Sequence, residues 1–575
     1  MNDIRRTILW VIFGFSMVLL WDQWQVYNGQ KATFFPSPAT KQVATNATGA
    51  VPPASAGASA VPAPSATATP TVPGTPPIGA AQPAMAVKRE RVEISTDVLK
   101  LSFDADGATL ARAELLRHAD AHTKGSNVML LDESRERVYM AQTGLIGAPA
   151  GAEQFPTHKS LMKLVSTERQ LKDDASELVV KFESEVQGGV KLVKSFTLKR
   201  GEYAIAVKHE IVNVGTAAVT PQLYLQLVRD GNKPEGESSF YSTFTGPAVY
   251  TNEKKYQKVE FTDIEKNKID IEKTGNDGYV AMVQHYFASA WVLGKPGETV
   301  ARDLFRRKVD NNLYAVGMIT SAGSVAPGTT KAVDALFYVG PQEEDKLEAL
   351  APGLELVKDY GWLTILAKPL YWLLNKLHSF IGNWGWSIMA LVVLIKVAFY
   401  WLTAKGYQSM AKMKAINPKI MEMRERLKDK PQEMQQEMMR IYREEKVNPM
   451  GGCFPMLVQI PVFIALYWVL LSTVEMRNAP WIGWIHDLAA PDPFYILPVV
   501  MTLTTMLQTA LNPAPPDPIQ AKMMWIMPLA FSVMFFFFPS GLVLYWITNN
   551  TLSIAQQWLI NTRMGVPPQF NLPKF

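Results

Sequence analysis

A chain of 575 residues has room for about four domains at ~150 residues each, and its 48% apolar and 19% charged residues look ordinary. The residues are unevenly spread: 11 of 15 Trp follow residue 358, and 11 of 39 Pro fall within residues 36–86, which excludes a single uniform globule. One Cys excludes a disulfide scaffold, and a net charge of +5 is too small to argue for nucleic acid, so no DNA partner is expected.

The chain begins with Arg5 and Arg6, followed by an apolar run over residues 7–21. A basic flank and a short apolar stretch resemble a secretory signal. Trp21, Asp22, Gln23 and Trp24 follow where cleavage needs small residues. Residues 1–27 therefore read as an uncleaved signal anchor with a cytoplasmic N-terminus and a Trp pair at the far interface. Residues 28–86 read as a disordered linker. Residues 36–86 carry one charge, Lys41, and no aromatic residue. Such a segment buries too little apolar surface to offset its ordering entropy, and as a flexible chain it reaches roughly 40 Å.

Residues 87–342 carry short alternating runs, such as Leu178-Val-Val-Lys-Phe182, Tyr203-Ala-Ile-Ala-Val207 and Leu223-Tyr-Leu-Gln-Leu227. Turn residues bound them, as in Arg229-Asp-Gly231-Asn and Gly275-Asn-Asp-Gly278. Period-2 alternation between such turns predicts antiparallel strands and a large β-sandwich. A helix over 343–360 is expected to close this domain. Residues 363–380 then read as an amphipathic helix in the membrane interface, because Pro369 and the lysines weigh against a span. Residues 343–382 thus connect the β-domain to the C-terminal third of the chain.

Five membrane-grade segments come next, at 384–404, 453–472, 494–511, 523–538 and 541–560, each near the ~20 residues needed to cross hydrocarbon. Only Pro539 and Ser540 separate the last two, which predicts a tight hairpin. Residues 383–562 are read as a five-helix core and 563–575 as a tail. Residues 404–450 hold 11 Lys/Arg against seven Asp/Glu, whereas the loop 473–493 has Arg477 against three acids. An excess of basic residues marks cytoplasmic loops. The expected protein is therefore multi-pass, with both termini cytoplasmic and the β-domain outside the cytoplasm, in the periplasm if the cell is Gram-negative. Lys358, Lys368 and Lys376 count against this balance without reversing it.

Lys396 is the only formal charge inside any of the five segments. It lies ~20 Å from one end of its segment and ~12 Å from the other at 1.5 Å per residue. Burying that charge costs ~2.5 kcal/mol or more. Two readings stand: its stem snorkels to the cytoplasmic interface, or its ammonium faces a water-filled cavity. Gln459, Thr502, Thr504, Thr505, Gln508, Thr548, Asn549, Asn550, Thr551, Ser553, Gln556 and Gln557 add uncharged polar groups. These suit interhelical hydrogen bonds or, together with Lys396, a hydrated groove. Pro455, Pro461 and Pro498 read as kinks.

The loop 404–450 is helical in composition. A break at Asn417-Pro418 and a turn at Asp429-Lys-Pro431 predict helices over 419–428 and 432–446, packed as an antiparallel hairpin. Met410, Met413, Met421, Met423, Met434, Met438 and Met439 thread it. Such a face suits promiscuous peptide binding or ordinary hairpin packing, and its basic excess suits ribosomal RNA, anionic lipid or a solvated face. Phosphate-loop, dinucleotide and nucleophile-elbow motifs are absent. Seven scattered His and one Cys suggest no metal centre: His118 and His122 read as surface residues and Cys453 as structural. Neither an enzymatic activity nor a cofactor is expected.

Two stretches carry a resemblance. One runs Asn448-Pro-Met-Gly-Gly-Cys-Phe-Pro-Met-Leu-Val-Gln459-Ile-Pro-Val-Phe-Ile-Ala-Leu-Tyr467, and the other Phe538-Pro-Ser-Gly-Leu-Val-Leu-Tyr-Trp546. With Tyr407-Gln-Ser-Met-Ala-Lys-Met413 before them, they resemble the YidC membrane protein insertase family over the last ~220 residues, and the anchor and large β-domain match its Gram-negative branch more loosely. The resemblance implies a polytopic α-helical membrane protein of six transmembrane helices, five forming the core, plus an all-β periplasmic supersandwich similar to sugar-binding folds. It further implies a hydrophilic groove open to cytoplasm and lipid. In this sequence the groove would comprise Lys396, Gln459, Ser540, Gly541, Tyr545, Trp546 and Asn549. Many members have Arg where this chain has Lys396, so the charge is kept but the planar fork is lost. Val392 stands where some relatives have Thr, making one wall less polar. The implied function is insertion and folding of nascent inner-membrane proteins, alone or with the Sec translocon. The implied partners are nascent chains, the ribosome, the signal-recognition targeting machinery and membrane lipids. The rival readings are a small-solute transporter built around Lys396 and an anchored periplasmic carbohydrate-binding or cell-wall protein; no internal repeat supports the first, and the second leaves the polar core unexplained.

Overall fold

The computed structural model describes residues 90–565 except 121, 122, 124, 235–242, 269–271, 295–297, 429, 446–453 and 513–517, and also describes Phe570. The expected anchor and linker, all of Asn448–Cys453 with the reading of Cys453, and most of the tail lie outside the described residues.

The alternating runs form two nine-stranded sheets in which every neighbouring pair is antiparallel. The centre of the first sheet is β5 (Val138–Ile146), β10 (Gln222–Asp230) and β17 (Leu313–Ser321); the centre of the second is β18 (Thr330–Pro341), β9 (Ala204–Asn213) and β8 (Val190–Lys199). In β9 burial alternates strictly, whereas β10 is buried on both faces. The sheets share an apolar core, in which Phe103 stacks on Phe182 and Phe196 with centroids 5.4 and 4.8 Å away. A short helix, α1 (Phe261–Lys266), lies between strands.

The helix expected over 343–360 is instead α2 (Glu344–Leu350) followed by a 3-10 turn, Leu354–Val357. Pro352 and Gly353, the latter at φ 78°, break it. His118 also departs from the surface reading: it is half-buried, edge-on to Phe287 at 5.5 Å. His122 lies outside the described residues.

The helical region begins with α3 (Thr364–Ile381), which buries Ala367, Tyr371 and Leu374 and exposes Ile365, Trp372 and Phe380. It ends at Gly382 in a left-handed conformation. Asn383 then caps α4 (Trp384–Ala398), its side chain accepting from Trp386 N at 3.1 Å. The first expected span does not run straight to residue 404. It breaks at Phe399, and α5 (Tyr400–Arg426) leaves at 69°. Thr403 Oγ1 bonds back to Phe399 O at 3.0 Å, a contact that bends helices.

Pro418 lies inside α5 and does not split it. The penalty of ~3 kcal/mol for an internal proline is offset by packing on both sides of it. Ile416, Ile420 and Met423 are buried against Met434, Met438, Ile441 and Tyr442, all on α6 (Pro431–Glu444). The remaining helices are α7 (Phe454–Ser472), α8 (Ile496–Leu511), α9 (Pro518–Met534) and α10 (Ser540–Arg563). Pro461 lies within α7, but Pro498 falls in the first turn of α8, where the missing N–H has no intrahelical partner to lose. Among the described residues no single helix is long and apolar enough to cross a membrane, although α4 and α5 together are.

A polar junction ties the β-domain to the helices. Lys358 is buried, its Nζ 3.7 Å from the Tyr371 ring centre and 3.6 Å from Glu475 Oε2. Tyr371 donates to the same carboxylate at 2.6 Å, and Tyr360 donates to Glu344 at 2.6 Å. Nearby, Arg477 donates to Ala119 O at 3.1 Å and lies over Phe287, while His285 Nε2 meets Leu471 O at 2.9 Å. Burial, and then Arg477, pulls His118 down to about 4; burial also holds His285 at about 4 despite its bond to Leu471.

Both imidazoles are neutral in the fold, and the unfolded chain takes up their protons more readily. Their contribution is therefore full above about pH 6.5 and lost as pH falls towards 4. Glu344, whose carboxyl is raised by burial, titrates in the opposite sense. The thermal midpoint of the purified protein in detergent is expected to fall between pH 6.5 and 4, and a His118→Phe, His285→Gln protein to flatten that fall; an unaltered slope would refute the assignment.

Candidate functional site

Lys396 projects from the last turn of α4, three residues before the bend, and is half-buried. Its Nζ donates to Ser553 Oγ on α10 at 2.8 Å. Ser553 Oγ donates to Asn549 O, one turn earlier, at 2.7 Å. Asn549 Oδ1 accepts from Gln459 Nε2 of α7 at 3.2 Å. Three helices thus bring Lys396, Ser553, Asn549 and Gln459 into one polar cluster among apolar neighbours. Among the described residues no carboxylate pairs with Lys396.

Tyr545 and Trp546 lie one turn towards the start of α10. Both meet Phe463 of α7, Tyr545 stacked at 5.9 Å and Trp546 edge-on at 4.7 Å. Tyr545 is buried and Trp546 half-buried. Asn549 lies one turn from this aromatic pair on α10 and Ser553 two turns.

Ser540 and Gly541 are not brought to this cluster. Both are buried at the opposite end of α10, where Ser540 N and Oγ each bond Ala490 O at 2.8 Å and Gly541 N bonds Leu488 O at 2.9 Å. A Cβ on Gly541 would lie 3.2 Å from Leu488 O, so glycine is what permits this approach. The loop is itself held by Asp492, whose buried carboxylate accepts from Trp484 Nε1, Phe494 N and Leu497 N at 3.0, 3.0 and 2.7 Å. These residues seal one end of the helical region.

Two polar faces emerge on α10. Asn549, Ser553 and Gln556 share one helical stripe, and Gln556 Nε2 reaches Thr403 Oγ1 at 2.7 Å. Asn550 and Gln557 share the other, which faces α8: Asn550 Nδ2 donates to Thr505 Oγ1 at 2.9 Å and Gln557 Nε2 to Asn512 Oδ1 at 3.2 Å. The second stripe is a closed interhelical seam.

Of the expected hairpin methionines, Met413, Met423, Met434 and Met438 form the hairpin's own core. Met410 is half-buried, while Met421 and Met439 are 50% and 54% exposed. Among the described residues no group of three or more His, Cys, Asp or Glu is placed to hold a metal ion. From the sequence, Ser553 and Gln556 are two polar residues among many, although their spacing with Asn549 at i, i+4 and i+7 is a signal for one helix face.

Comparison with known proteins covers both halves of the chain. Residues 91–373 match the model of the YidC periplasmic domain, and residues 376–566 match that of the 60Kd inner membrane protein family. A membrane protein insertase YidC of Cupriavidus metallidurans is 54% identical over 565 residues, 98% of this chain and 98% of that protein. The insertase of Herminiimonas arsenicoxydans is 51% identical, with 98% and 99% covered. A crystal structure of an active YidC insertase with its first transmembrane domain resolved aligns at a TM-score of 0.37 and 18% identity, over 82% of this chain and 92% of that one. On relatives this similar along its whole length, the chain belongs to the YidC membrane protein insertase family.

Proposed function

We propose that this protein inserts nascent membrane proteins into an inner membrane and helps them fold, and that the polar cluster around Lys396 is its substrate groove. The observation that carries the reading is the Lys396 ammonium, placed among apolar helices and held at 2.8 Å by a neutral hydroxyl with no described carboxylate beside it. An uncompensated cation there is costly, and its cost is offset when an acidic stretch of polypeptide arrives. Gln459, Asn549 and Trp546 would line the path, and Ser540, Gly541 and Tyr545 would shape its closed end.

In this reading the protein has six transmembrane helices: an anchor within residues 1–27 and a core from α4 and the start of α5, α7, α8, α9 and α10. Both termini face the cytoplasm and the β-domain the periplasm. The α5–α6 hairpin then lies in the cytoplasm, where Met421, Met439 and the basic residues would meet the incoming chain, the ribosome, the targeting machinery or anionic lipid. Cooperation with the Sec translocon belongs to this reading, with exposed Val499 and Leu503 of α8 and Ile526 and Phe531 of α9 as an apolar outer face. Polar chain partway across is stabilised by the groove's water and hydrogen-bonding side chains, while a hydrophobic segment partitions to lipid. No step of this scheme needs a nucleotide.

Photocrosslinkers at Gln459 and Trp546 are expected to capture a short nascent membrane protein during translation; a correctly folded protein that yields no adducts would refute the groove. Lys396→Gln is expected to lower insertion of a substrate with an acidic translocated tail about tenfold, the effect of ~1.4 kcal/mol, relative to the same substrate with a neutral tail. Asn550→Ala, on the closed seam facing α8, is expected to cost about 0.6 kcal/mol of stability and to leave that preference for acidic tails in place, as measured by protease protection of both substrates.

A further inference from the structure

Helix α10 grips the bend at Phe399 from both sides. Before the bend, Lys396 Nζ bonds Ser553 Oγ; beyond it, Gln556 bonds Thr403 and the Tyr407 hydroxyl shares Ser553. Ser553 is 3% exposed. Its one proton is committed to Asn549 O at 2.7 Å, so towards Lys396 it acts as an acceptor only. An ammonium has three protons. Ser553 takes one of them, and among the described residues no carboxylate competes for the others.

We propose that Ser553 is the positioning residue for Lys396, resting on the groove reading above. A lysine stem is long and unbranched, and its ammonium is drawn towards the cytoplasmic interface. The Ser553 hydroxyl opposes that pull and holds the charge against the polar stripe of α10. A carboxylate at position 553 would hold the lysine equally well but neutralise it. An apolar side chain would release it. A hydroxyl already committed as a donor does neither, and leaves ammonium protons directed to a carboxylate of the passing chain. Ser553 thereby sets the preference for acidic tails.

The test uses the full chain in proteoliposomes and two substrates differing only in an acidic or neutral translocated tail. Ser553→Ala is expected to lower the acidic-to-neutral insertion ratio about tenfold, as for loss of one hydrogen bond to a charged group, and Ser553→Thr to restore it. Ser553→Cys, similar in size but a weak acceptor, is expected to follow the alanine protein, so misfolding of one variant does not decide the outcome. An unchanged ratio in the alanine and cysteine proteins, or a threonine protein that stays low, would overturn the proposal. Lys396→Gln separates the two levels. If it too leaves the ratio unchanged, the groove reading fails; if it lowers the ratio while the Ser553 variants do not, only the role of Ser553 fails.

Discussion

Lys396 is the one charge in α4, and it meets a hydroxyl of α10, not a carboxylate. A charge in such surroundings must find water, a partner or a donor–acceptor network. The polar stripe of α10 supplies the last of these. Asn549, Ser553 and Gln556 reach Gln459, Lys396 and Thr403, so three other helices are tied to one face of α10. The opposite stripe ties it to α8. The helical region is therefore held by hydrogen bonds between helices as well as by apolar packing, as expected where lipid weakens the hydrophobic drive for helices to associate.

The bend at Phe399 arises from the same residues. Thr403 turns its hydroxyl back on the Phe399 carbonyl and also accepts from Gln556. The chain is redirected by 69° immediately after Lys396. The ammonium consequently sits at the base of the hairpin, next to the segment proposed to meet the nascent chain first. At the other end, Ser540, Gly541 and the Asp492-capped loop close the helices tightly through backbone hydrogen bonds.

The β-domain has its own core and reaches the helices through a small, charged junction. There Tyr371 bonds Glu475 and Tyr360 bonds Glu344, with buried Lys358 at ion-pair distance from Glu475, and Arg477 with His118 and His285 forms a second patch. Buried ionic junctions of this kind specify a mutual orientation more than they add stability. They would fix helix α3, with Trp372 and Phe380 exposed, relative to both units.

Periodicity and composition by themselves determined the large elements. Alternation in β9 and in Leu223–Leu227 of β10 predicted antiparallel strands; that β10 is buried on both faces came only from its neighbours in the fold. The motifs around Gln459 and Tyr545 pointed to the family, and a lone charge in an apolar segment pointed to Lys396. Tertiary structure alone decided the rest. Pro418 reads locally as a helix break, yet hairpin packing on both sides of it carries the helix through. Ser540 and Gly541 share a motif with Tyr545, yet backbone contacts to a distant loop remove them from the polar cluster. Ser553 was one polar residue among several, because a sequence does not show which hydroxyl a lysine 157 positions away will meet. Local preferences are written in neighbouring residues, whereas the partner of a buried charge is set by which helices pack together.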